Sequence, residues 1–186
     1  MKTFIFVVSL VGVSTSAYSQ LENRLRPGQM YEAGQIVYAP RFGFKSKIPQ
    51  GWEGTLPREA EVFLLMPISP VPAEIYVLGN EKDSPEALKM RWTQGIDMGS
   101  GITLRSHGPI TQRGAAIAAE GDLSGSTNKA GRRIYVEARC SEFGICVSSV
   151  LVADNNSFDD CQESTSGFCR QCCFGPTQEC FDLRRV

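Results

Sequence analysis

Residues 132–152 read RRIYVEARCSEFGICVSSVLV, and this stretch decides the fold. Two runs rich in β-branched and apolar residues, Arg132 to Arg139 and Cys146 to Val152, flank a short connection that holds Gly144. Such residues suit a pleated, half-buried surface. A glycine-bearing turn between two such runs folds them into an antiparallel hairpin. Cys140 and Cys146 then oppose each other at its turn end, within reach of a disulfide.

Working outward, the same signal repeats. Ile102 to Ser106 and Ala115 to Leu123 read as strands, with turns expected at Gly108-Pro109, Gly125 to Lys129 and Glu142 to Gly144. Upstream, the period is two from Ile36 through Phe42, Phe44 and Ile48, until Pro49 stops it. Glu61 to Met66 and Ala73 to Leu78 are further strands, the latter with Ile75 and Val77 on one face and Tyr76 and Leu78 on the other. Pro67, Pro70 and Pro72 impose an extended link between them. One helix stands out. Ser84 caps it, Pro85 suits its first position, Glu86 complements its dipole, and Ala87, Leu88, Arg91, Trp92 and Ile96 recur at helical spacing. Sequential strands with short turns pair antiparallel. The expected class is α+β: a mainly antiparallel sheet with one clear helix packed on a face, followed by a disulfide-rich tail.

Phe42-Gly43-Phe44-Lys45-Ser46-Lys47-Ile48-Pro49-Gln50-Gly51-Trp52 resembles the aromatic-strand and Pro-x-Gly-Trp opening of the Mog1/PsbP-like superfamily. The order of elements from Ile36 to Val152 is similar as well. The resemblance implies a sheet sandwiched by helices and, usually, no enzyme activity. The cysteine-rich tail departs from the family's pattern.

The N-terminus has the parts of a secretory signal: Lys2, the apolar run Phe4 to Val13, and Ala17-Tyr18-Ser19. Cleavage is expected after Ser19. The expected organisation is a signal peptide over 1–19, an N-terminal arm over 20–35, a sheet domain over 36–153 and a cysteine-rich tail over 154–186. Losing Lys2 moves the formal charge from −1 to −2, with no basic stripe, which argues against nucleic acid as a partner. No later segment is apolar enough to cross a membrane. The apolar content of 42% suffices for a core, so the sheet domain is expected to stand without its tail.

All seven cysteines, Cys140, Cys146, Cys161, Cys169, Cys172, Cys173 and Cys180, lie in the last quarter of the chain. An exported chain meets an oxidising compartment, so disulfides are the first expectation and one thiol is left over. That odd cysteine could link two chains. The alternative is zinc on Cys161, Cys169, Cys172 and Cys180, or redox chemistry at Cys169-Arg170-Gln171-Cys172. A zinc ribbon wants two close pairs and the tail offers one. A redox motif normally opens a helix after a strand. His107 reads as an exposed turn residue. Asp154, Asp159, Asp160 and Glu163 lack the glycine and closing glutamate of a calcium loop and read as solvated. Asn155-Asn156-Ser157 matches a glycosylation acceptor. Trp52 is a candidate ligand-face aromatic, with core packing as the plainer expectation. The functional expectation is an exported, non-catalytic domain, secreted or periplasmic, with no catalytic residue and no cofactor. It would bind an unknown protein or small molecule or support an assembly.

Overall fold

The computed structural model describes residues 24–99, 102–113, 116–125, 131–141 and 144–170. The hairpin of residues 133–153 sits in the middle of a nine-stranded antiparallel sheet. In spatial order the strands are β1 (Met30–Tyr31), β4 (Trp52–Thr55), β5 (Phe63–Pro67), β6 (Ala73–Lys82), β11 (Ile145–Ala153), β10 (Arg133–Cys140), β9 (Ala116–Gly125), β8 (Ile102–Arg113) and β7 (Ile96–Gly99). A separate hairpin pairs β2 (Ile36–Ala39) with β3 (Phe44–Lys47). Two helices complete the described residues, α1 (Pro85–Gln94) and α2 (Phe158–Arg170).

The register of β10 on β11 runs from Arg133 opposite Ala153 to Cys140 opposite Cys146. Gly144 adopts φ 72° in the turn, the left-handed region that glycine enters without a Cβ clash. Because successive side chains point to opposite faces, each central strand serves two cores. Ile75, Val77, Val147 and Leu151 face one side, where Phe158 and Phe168 of α2 and Val37 and Phe44 of the β2–β3 hairpin cover them. Ile134, Val136, Val150 and Val152 face the other, where Leu88 and Trp92 of α1 pack with Leu104 and Ile117. The result is an α+β sandwich with one helix on each face.

Helix α1 forms as its sequence dictates. The Ser84 hydroxyl accepts from the Ala87 amide at 3.2 Å, and Gly95 follows the last turn. Helix α2 was hidden by composition. Phe158, Cys161, Thr165, Phe168 and Cys169 recur at helical spacing and are buried, while Asp159, Asp160, Gln162 and Glu163 lie between them. The first-turn aspartates and the last-turn Arg170 complement the helix dipole. The solvated, polar run expected after 153 is therefore, over 158–170, a helix whose apolar stripe belongs to the core. The second half of the expected tail, with Cys172, Cys173 and Cys180, lies outside the described residues.

Other differences have equally local causes. The expected N-terminal arm contributes to the sheet: Tyr31 is 3% exposed, β1 pairs with β4, and Arg24 bridges to Tyr38. Strand β4 follows the Pro-x-Gly turn, where the polar look of Glu53 and Thr55 obscured a strand with one buried face. Gly108-Pro109 does not end β8 but sits in an irregularity between His107 and Thr111, past which pairing with β9 resumes. Gly79 is required by packing. A Cβ there would lie 2.1 Å from the Phe42 carbonyl oxygen, in the 3-10 turn Pro40–Phe42 that rests on β6.

Candidate functional site

The densest buried polar cluster lies between β10, β11 and α2. On β10, Arg133, Tyr135, Glu137 and Arg139 alternate with the apolar residues that face α1. The Tyr135 hydroxyl donates to the Glu137 carboxylate at 2.8 Å and accepts from the Ser166 hydroxyl at 3.0 Å. Tyr135 is 8% exposed and Glu137 5%. Burial, above all, pushes the Tyr135 hydroxyl well above its ordinary range, and the neighbouring Glu137 carboxylate adds to the shift. Ser149 stands directly across from Glu137, fully buried, and its hydroxyl has no protein partner.

The cluster continues in both directions along the helix. Arg133 reaches Glu120 at 3.1 Å and Asp159 at 3.3 Å, and its guanidinium stacks 3.8 Å over the Phe158 ring. Gln162 donates to Glu120 at 3.1 Å. Arg139 donates to the Arg170 carbonyl at 2.8 Å, satisfying an end-of-helix acceptor. On the apolar side of α2, Phe168 meets Phe44 edge-on at 5.8 Å, and its carbonyl accepts from Ser46 at 3.1 Å. These groups hold a helix on a sheet. None of Tyr135, Glu137 or Ser166 is placed where a substrate would touch it.

The cysteines divide. Cys140 and Cys146 form the expected disulfide, Cα to Cα 4.0 Å, across the hairpin. The Cys146 sulfur also lies 3.4 Å from the Asp83 carbonyl, beside the start of α1. Cys161 carries a free thiol, 7% exposed, among the core residues. Burial, then the nearby Asp160, pushes that thiol up, which makes it a poor nucleophile. Cys169 is fully buried, its sulfur 3.8 Å from the Glu137 carbonyl. Cys161 and Cys169 are eight positions apart on one helix, about 12 Å of axial rise. They cannot bridge one another or both ligate one tetrahedral zinc, and Cys172 and Cys180 of the alternative zinc set lie outside the described residues. Cys169 also sits in the last turn of its helix, at the negative end of the dipole, whereas low-pKa redox thiols sit at the positive end.

The remaining candidates are as plain. Trp52 is 4% exposed and packs in the core, so it offers no ring face to a ligand. His107 is exposed on β8, its Nδ1 3.6 Å from the Asp122 carboxylate. Asp154 pairs with Arg132 and Asp159 with Arg133, so these two carboxylates point to separate arginines. Among the described residues no group of three or more His, Cys, Asp and Glu is arranged to hold a metal. No described helix is long and apolar enough to cross a membrane.

No protein-family model matches the sequence, and no curated protein matches it. The fold does have a counterpart. The chain is similar to the solution structure of cyanobacterial PsbP (CyanoP) from Synechocystis sp. PCC 6803, with a TM-score of 0.51 at 11% identity, over 79% of this chain and 92% of that one. The class is therefore a PsbP-like α+β sandwich, in agreement with the resemblance carried by Phe42 to Trp52. At this identity the likeness concerns the fold, and function rests on the site.

Proposed function

We propose that the mature chain is an exported, non-catalytic domain, secreted or periplasmic, that works by binding a partner. The observation that carries this reading is the placement of the reactive side chains. Tyr135, Glu137, Cys161 and Cys169 are buried, and Cys140 and Cys146 are joined to each other. Catalytic groups must reach their substrate, and these groups instead secure α2. The signal-like opening and the hairpin disulfide support export to an oxidising compartment.

Two measurements on protein secreted from the full chain test the reading. N-terminal sequencing is expected to begin at Gln20; a mature form that keeps Phe4 to Val13 would refute export. Thiol titration under denaturation, before and after reduction, is expected to show one free thiol before reduction. Four or more free thiols together with bound zinc would establish the metal or thiol-active alternative in its place.

A further inference from the structure

The two faces of the sheet are covered unequally. On one face α2 and the β2–β3 hairpin lie over the central strands. On the other, α1 lies chiefly over β8 and β9, and Tyr76 and Leu78 of β6 pack at the edge of the core that it covers. The strand register identifies what that open half presents. Met30, Thr55, Leu64 and Tyr76 follow one another in a cross-strand row, because Met30 opposes Thr55, Thr55 opposes Leu64 and Leu64 opposes Tyr76. Met66 and Leu78 flank the row on the same face. Leu64, Met66, Tyr76 and Leu78 are half-buried within the sheet surface, while Met30 at the edge is 46% exposed and Ile68, just past β5, is 62% exposed. A contiguous apolar surface of this kind marks an interaction site rather than scattered exposure. Its two methionines are flexible enough to adapt to a partner.

The charge on this face is of one sign. Glu53 opposes Met66, and Glu74 opposes Val152 and accepts from the Tyr76 hydroxyl. None of the positions on this face of β1, β4 and β5, or of β6 as far as Leu78, is Lys or Arg. Arg132, at the same end of the sheet as Glu74, is engaged by Asp154 at 2.9 Å. An apolar surface carrying carboxylates complements a segment that carries apolar and cationic side chains, and it disfavours a second copy of itself, whose carboxylates would meet its own.

We propose that this open half-face, centred on Leu64, Met66, Tyr76 and Leu78, is the docking surface for a cationic, amphipathic segment of another protein. The proposal deepens the binding reading given above and rests on it. The apolar row supplies the buried area, and Glu53 and Glu74 set the partner's charge and speed its approach.

The test uses isotopically labelled mature protein, residues 20–186, and two synthetic peptides of equal length, one alternating leucine with lysine and one alternating leucine with glutamate. The lysine peptide is expected to shift amide resonances of β4, β5 and β6, with affinity that falls as salt is raised, and the glutamate peptide to leave them unchanged. The double variant E53Q/E74Q, folded by circular dichroism, is expected to bind the lysine peptide about tenfold more weakly at low salt. Equal response to both peptides, shifts confined to another surface, or no shifts would each overturn the assignment. So would concentration-dependent self-association through these strands. Binding seen only after deletion of 171–186 would do the same, by naming the chain's own end as the occupant. The thiol count is independent of all these outcomes. A failure of the surface therefore leaves the non-catalytic reading standing, and a zinc or thiol result sinks that reading whatever the peptides do.

Discussion

Tyr135 joins two elements of the structure through one oxygen. Its hydroxyl ties Glu137 of its own strand to Ser166 of α2, all three residues being buried. The unfolded tyrosine ionises near 10.0, while the folded one keeps its proton to higher pH. Above pH 10 the folded state therefore binds more protons than the unfolded state, so stability is fully present below that pH and declines as pH rises beyond it. In urea unfolding followed from neutral to strongly alkaline pH, Tyr135→Phe is expected to lose part of that alkaline decline. At neutral pH the same change should cost about 1–3 kcal/mol, because Glu137 and Ser166 each lose a buried partner. A variant with the wild-type alkaline slope would take Tyr135 out of this account.

At the scale of elements, the sheet and α2 form one cooperative unit. Phe158 and Phe168 are at or below 1% exposure and share a core with strands on both sides of β11. Truncation after Asp154 is thus expected to leave that face bare and yield a molten or insoluble product, read as a loss of the cooperative thermal transition. A sharp transition in the truncated chain would restore the boundary at 153 that the sequence suggested. As a milder probe of the same contact, Phe168→Ala should cost about 3–5 kcal/mol through the lost burial and the cavity left against Phe44.

At the scale of the whole molecule, the hairpin disulfide ties the sheet to α1. The turn it closes accepts from the Asp83 amide through Gly144 at 3.0 Å, and Asp83 pairs with Arg91 of α1. Closing so short a loop restricts the unfolded chain by only about 2 kcal/mol. The double variant C140S/C146S is accordingly expected to fold with a lowered Tm and to keep the sheet order. Loss of folding would mean that the bridge does more than close its loop.

The chain alone determined the alternating strands, the hairpin with its opposed cysteines, and the Ser84-capped helix, because each is written in a local period or a local cap. It also determined the class of fold. Three features depended on tertiary structure. Helix α2 reads as polar in sequence because its buried stripe is built from two phenylalanines, two cysteines and a threonine, and cysteines in a cysteine-rich run read as disulfide formers rather than as core. The Tyr135–Glu137–Ser166 cluster joins residues 31 positions apart across a sheet–helix interface, a distance that no local pattern reports. Whether Tyr76 and Leu78 meet solvent or a helix was equally undetermined, because alternation separates the two faces of a strand but only the placement of the helices decides which face is covered.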